Sequence, residues 1–208
     1  MSSELLIWAA LCLPLLIAAG IAITGAFSNV REGVTLTGAT ILFGVVIALA
    51  SKVSAGQVPE LYIGQVAPGL DLAFKLEPLG ALFALVASGL WIVNSFYSIG
   101  YMRGNRERNQ TRFYICFAIA IFGAMGVAMS ANLFTLFVFY EVLTLSTYPL
   151  VAHKGDAAAK RGGRIYLLTL LGTSIGLFLM ALMWTWALAG QNLDFVQGGL
   201  LAGYDIDP

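Results

Sequence analysis

Charge is what this chain has least of. Of its 208 residues 11% are Asp, Glu, Lys or Arg and 59% are hydrophobic, whereas a soluble domain carries about 25% charged residues and is under half apolar. With a mean hydropathy of +0.86, that shortfall excludes an ordinary soluble domain. The formal net charge is zero, and no basic footprint for nucleic acid is present. Histidine occurs once and cysteine twice, so no set of metal ligands can be assembled. Cys12 and Cys116 both lie inside apolar runs and read as small core residues, not as a disulfide framework. No glycine-rich phosphate loop joins a strand to a helix, and no nucleophile stands beside a base. The sequence therefore assigns neither a cofactor nor a catalytic site. The 23 glycines are scattered through the apolar runs, where they permit close helix packing.

What the chain does have is long apolar runs. Several reach about 20 residues, the length needed to cross a bilayer as a helix, and the ten-residue alternation of a transmembrane barrel is missing. The expected fold is an all-α membrane protein with six spans: Leu5–Phe27, Gly33–Ser51, Leu79–Ile99, Phe113–Ser130, Leu133–Val151 and Ile165–Leu188. The first span has no basic residue before Arg31 and is too long for the apolar region of a signal peptide, so it is read as a retained helix. Only Ser130-Ala131-Asn132 separate spans four and five, which predicts a tight antiparallel pair. The connector Lys52–Leu76 carries Ala67-Pro68-Gly69, then Leu70, Leu72, Phe74 and Leu76 alternating with Asp71, Ala73 and Lys75. A period of two after a Pro-Gly turn suggests a short β-hairpin at the membrane surface; an ordinary polar loop is the alternative. The expected organisation is residues 1–76, two helices plus the hairpin; 77–190, helices three to six; and 191–208, an external tail.

Orientation follows from the basic residues. One set of alternating connections holds Arg31, Arg103, Arg106, Arg108, Arg112, Lys154, Lys160, Arg161 and Arg164; the other holds Lys52 and Lys75. Nine against two puts the first set in the cytoplasm and makes the N-terminus and the tail external.

Glu141 is the one ionisable residue near the middle of a long apolar run. A carboxylate at that depth costs about 2.5–3.5 kcal/mol on the translocon scale, and chains that keep one pair it, hydrate it or protonate it. This marks Glu141 for proton or ion handling. The plainer alternative is a carboxyl satisfied by hydroxyls, with Thr144 three residues on and on the same helix face. No Lys or Arg lies centrally in any span. Either Glu141 holds a proton at rest or, the preferred reading, its partner belongs to sequence outside this chain. His153 and Lys154 close the cytoplasmic end of span five, where His153 is an interfacial anchor or a group exchanging protons. Arg164 opens span six, either snorkelling or setting the potential at a proton inlet.

The stretch Asn132–Val151, with Phe139-Tyr140-Glu141-Val142-Leu143-Thr144 at its centre, resembles the fifth helix of antiporter-like proton-translocating subunits. These are shared by Mrp-type sodium/proton antiporters, respiratory complex I and membrane-bound hydrogenases. Glu77-Pro78-Leu79-Gly80, Tyr97–Met102, His153-Lys154-Gly155 and Gly163–Leu168 match other family segments in order, with the D-type member of the Mrp antiporters nearest in flavour. The resemblance covers roughly Leu70 to Leu188. It implies that Glu141 is the family's helix-five glutamate, paired with a lysine from a seventh helix. It implies a fold of about fourteen helices in inverted repeats, of which this chain would be the N-terminal part, from a truncated or split gene. It further implies proton or sodium translocation, other membrane subunits as partners and the cell inner membrane as location. A transport-inactive scaffold for assembly is the alternative of another class.

Overall fold

A computed structural model describes residues 2–201. Among them are helices α1 (Ser3–Ile23), α2 (Ser28–Ser54), α3 (Pro78–Gly104), α4 (Gln110–Ala128), α5 (Leu133–Val151) and α6 (Ala157–Thr173). Strands β1 (Glu60–Ala67) and β2 (Leu70–Lys75) lie between α2 and α3. A π-helical turn, Ser174–Leu179, joins α6 to α7 (Met180–Leu188) without a break, so Ala157–Leu188 is one rod of 32 residues. Six helical segments are long and apolar enough to cross a membrane, and the chain is a multi-pass membrane protein.

Local chemistry sets the ends. The Ser2 hydroxyl accepts from Leu5 N at 3.3 Å, Asn132 Oδ1 from Thr135 N at 2.8 Å and Asp156 Oδ1 from Ala159 N at 2.7 Å, each satisfying an orphan N–H of the first turn. Pro78 opens α3, where its missing N–H costs nothing. Span five has the expected bounds, whereas α2 starts at Ser28 instead of Gly33 and α6 at Ala157 instead of Ile165. Hydropathy marks the part of a helix that suits lipid; the backbone ladder continues through Arg31 and Glu32 in one case and Lys160 and Arg161 in the other.

Helices α1 to α4 form a ring, each packed on the next, with α1 closing onto α4. Ile7, Ile21, Leu42, Leu49, Trp91 and Met125 are fully buried in it. α5 packs on α4, and the α6–α7 rod packs on α5. Leu16, Leu79, Leu168, Leu177 and Trp184 point outward, which suits a hydrocarbon solvent better than water.

The close approach of α4 and α5 depends on glycine. A Cβ on Gly126 would stand 1.8 Å from Phe139 Cδ1, and the Phe139 ring is itself wedged against Phe74 and Phe122 at centroid distances of 5.3 and 5.1 Å. Gly126→Ala should therefore lower the unfolding temperature in detergent, at a cost of about 1–3 kcal/mol for overpacking. Gly44→Ala on α2, with nothing within 4 Å, should not lower it. Equal melting temperatures for the two variants would show that Phe139 has room to turn.

The connector is a hairpin and not a polar loop. β1 and β2 pair antiparallel with two register shifts, turning at Pro68-Gly69, where Gly69 takes φ +72°. Its second strand is woven into the bundle: Phe74, and Leu76 just after the strand, are buried, Lys75 N donates to Met129 O at 2.6 Å and Ala131 N to Ala73 O at 3.1 Å. The segment after α7 returns to the same end, with Leu133 N donating to Leu193 O at 3.0 Å and Phe195 N to Ala131 O at 3.2 Å. Asp205 and Asp207 of the expected tail lie outside the described residues. The nine cations counted above gather at the opposite end of the bundle, as the alternation of connections requires.

Candidate functional site

α5 carries Glu141 and is fixed first at its N-terminus. Asn132 Nδ2 donates to Asp71 O at 2.9 Å, the Thr135 hydroxyl donates to the same carbonyl at 3.1 Å, and Ala73 N donates to Thr135 Oγ1 at 3.1 Å. The hairpin thus grips the first turn of the helix. Glu141 follows eight residues after Leu133, about 12 Å along the axis.

The Glu141 carboxyl has no hydrogen-bond partner among the described residues, and its Oε1 is buried. No Lys or Arg lies within ion-pair distance of it among those residues. The expected hydroxyl partner does not serve: Thr144 is buried, yet its bond is through its carbonyl, which accepts from Thr147 Oγ1 at 2.8 Å. A buried polar atom without a partner is costly and uncommon in native proteins. This arrangement suits a carboxyl that meets a cation, an ion or water supplied from beyond the described residues.

Toward the basic end, Thr147 Oγ1 meets the Tyr166 hydroxyl of α6 at 2.9 Å. His153 follows α5 in a turn; Arg112 Nη2 donates to its carbonyl at 3.1 Å and its ring lies edge-on to Phe113, centroids 5.5 Å apart. Both ring nitrogens are buried without hydrogen bonds of normal geometry. Burial first, then the Arg112 charge, lowers the His153 pKa below its ordinary value, against the pull of Glu107 and the Arg108 carbonyl. The packed ring thus favours its neutral form, and the stability that its packing on Phe113 contributes is lost as pH falls from about 6.5 through the lowered value. Lys154 and Arg164 are exposed and make no ion pair among the described residues. The structure brings Thr144, His153 and Glu141 onto or just beyond one helix, but shows no bond connecting them.

A second polar cluster was not legible as such. Arg31 and Glu32, in the first turns of α2, are each 4% exposed. The Glu32 carboxylate pairs with Arg31 Nη2 at 3.3 Å and with Arg103 of α3 through both oxygens. Arg31 also donates to Gln110 Oε1 at 2.8 Å and Thr111 Oγ1 at 3.1 Å of α4, and lies over the Tyr114 ring at 5.1 Å, a cation–π contact. The cluster ties α2, α3 and α4 together at their basic ends. Adjacent opposite charges just inside a helix were the only signal in the sequence. The π turn was equally hidden; it places Phe178 against Phe137 and Tyr140 of α5 at 5.4 and 5.9 Å. Such turns recur at functional sites.

No family model matches the chain. It is 30% identical over 147 residues to NADH-quinone oxidoreductase subunit N of Desulforudis audaxviator, covering 70% of this chain and 28% of that protein. It is 35% identical over 85 residues to Na(+)/H(+) antiporter subunit A1 of Staphylococcus aureus, covering 40% and 10%. The structure of the membrane-bound sulfane sulfur reductase, an archaeal respiratory membrane complex, superposes with a TM-score of 0.73 at 17% identity, covering 89% of this chain and 28% of that one; at that identity the likeness is one of fold. The fold and these likenesses define a membrane subunit of the antiporter and respiratory-complex type. The chain belongs to the antiporter-like, complex I-like family of membrane subunits. It spans less than a third of the length of these relatives.

Proposed function

We propose that this chain contributes a proton- or monovalent-cation-translocating site, centred on Glu141, to a multi-subunit sodium/proton antiporter of the cell inner membrane. The observation that carries this reading is the unpartnered Glu141 carboxyl midway along α5, with its Oε1 buried, because intramembrane acids are functional by default. Its cation partner comes from helices beyond the described residues, in the rest of a fourteen-helix inverted-repeat subunit or in companion membrane subunits. Thr144, His153, Lys154 and Arg164 are accessory at most. The likeness to a protein named NADH-quinone oxidoreductase subunit N favours a second reading, the proton-pumping membrane subunit of a respiratory complex. Any enzymatic activity would then belong to the complex, and no cofactor is assigned to this chain.

The test is reconstitution into vesicles with a pH-sensitive dye inside. The chain alone should show no sodium- or pH-gradient-driven exchange, because Glu141 lacks its partner. The complex assembled with its companion membrane subunits should show exchange. Exchange by the chain alone would overturn the need for a partner. An assembled complex whose exchange is indifferent to Glu141 would make the chain a scaffold.

A further inference from the structure

We propose that the basic end of the bundle is a docking surface for the headgroups of anionic phospholipids, built where the α3–α4 and α5–α6 connections converge. This rests on the membrane embedding of the chain and is independent of the role of Glu141.

The convergence can be followed contact by contact. Arg112, at the start of α4, is bonded to the His153 carbonyl at 3.1 Å, which sets it beside Lys154. Ala152, the next residue back, meets α6 at Gly163, where an added Cβ would lie 3.0 Å from Ala152 Cβ and 3.1 Å from the Tyr148 ring. The missing side chain lets the first turns of α6 fold back onto the end of α5. Gly163 stands between Lys160, Arg161 and Arg164 in the sequence. Arg164 is four residues from Lys160 and three from Arg161, so the three cations share one side of the helix. Arg112, Lys154 and this stripe therefore form one patch.

That patch is short of anions. Setting aside Arg103, which pairs with Glu32, the two connections with their flanking turns hold Arg106, Arg108, Arg112, Lys154, Lys160, Arg161 and Arg164 against Glu107 and Asp156, seven cations to two acids, a surplus of five. None of the seven has a carboxylate within 4.0 Å among the described residues, whose ion pairs are Arg31–Glu32, Lys75–Glu77 and Arg103–Glu32. Asp156 uses its carboxylate to cap α6, and all seven cations are exposed.

Helix length puts the patch at headgroup height. The rod Ala157–Leu188 has 32 residues, about 48 Å, against a hydrocarbon thickness of about 30 Å. Its apolar part begins at Ile165. The first two turns, with Lys160, Arg161 and Arg164, stand clear of the hydrocarbon among the phosphates. Basic clusters immediately cytoplasmic of a transmembrane helix read as sites for anionic lipid. Charges that only set topology could lie anywhere along these connections; here packing collects them.

The experiment measures lipid retained by the purified chain from detergent micelles doped with equal phosphatidylglycerol and phosphatidylcholine, by native mass spectrometry. Wild type should retain phosphatidylglycerol in preference. The Lys160→Gln, Arg161→Gln double variant removes two exposed side chains that make no hydrogen bond among the described residues, so helix content by circular dichroism should be unchanged. Its preference should fall on the order of tenfold or more. Lys52→Gln, at the opposite end, should leave it intact. An unchanged preference in the double variant, or an equal loss with Lys52→Gln, would overturn the proposal. Displacement of the lipid by millimolar inorganic phosphate would make a free phosphate the ligand and overturn it as well.

Discussion

Glu141→Gln should abolish ion exchange by the assembled complex while leaving assembly intact. The amide has nearly the shape of the carboxyl it replaces, and the α5 backbone is held by groups the change does not touch: the Asn132 cap, the Thr135 bonds to the hairpin and the Phe139 ring between Phe74 and Phe122. Because the described residues give the carboxyl no hydrogen bond, none is broken within them. What disappears is the only carboxyl on α5. A positioned proton-transfer group is worth about a hundredfold or more in rate, so exchange measured by dye in vesicles should fall by at least that factor. Glu141→Asp, which keeps the acid on a shorter stem, should retain part of the activity. Undiminished exchange by Glu141→Gln would reduce the residue to a packing role.

Removal of Glu32 should be the most damaging single change to the fold. Arg31 is almost wholly buried and Glu32 is its one anionic partner among the described residues. Breaking a buried pair by deleting one member costs about 3–5 kcal/mol, because the remaining charge stays behind. Arg103 is partly exposed and can swing toward water, and Arg31 keeps Gln110 and Thr111, so Glu32→Ala should sit near 3 kcal/mol, the lower end of that range. Unfolding in a denaturing detergent should shift accordingly. The double variant Arg31→Met, Glu32→Leu should recover most of the loss, since replacing both members with apolar groups is often neutral. A double variant no better than Glu32→Ala would show that the other bonds of Arg31 carry the cluster.

Features that depend on position along the chain were legible in the sequence. The depth of Glu141, the six apolar runs and the alternation after Pro68-Gly69 are properties of spacing, and all have counterparts in the structure. Span five was bounded correctly because Asn132 caps one end and the apolar run stops at the other. Features that depend on what folds against what were not legible. Glu32 and Arg103 are 71 residues apart, and nothing in either neighbourhood names the other. The hairpin could be read, but not its grip on α5, which depends on Thr135 and Asn132 meeting one carbonyl of Asp71. The ends of α2 and α6 ran past their apolar runs because hydropathy reports solvent and not backbone. The π turn lies in Ser174-Ile175-Gly176-Leu177-Phe178-Leu179, a run whose composition suits an ordinary helix equally well.

That π turn fixes the angular phase of everything beyond it. A wider turn accommodates one residue more than an α turn, so the helix after it is rotated relative to the helix before it by about 100° compared with an unbroken count. The side of α7 bearing Trp184, now turned outward, is set by that offset. A deletion of one residue within 174–179 would let the rod close into regular α-helix without breaking the span. It would leave Trp184 and Leu182 facing as they do, because the residue lost and the offset lost are each worth about 100° about the axis; an insertion there, or straightening with all six residues kept, would swing both around the axis. In this helix the wider turn absorbs one residue without changing what lies beyond it, and a single deletion within 174–179 should be better tolerated than a single insertion.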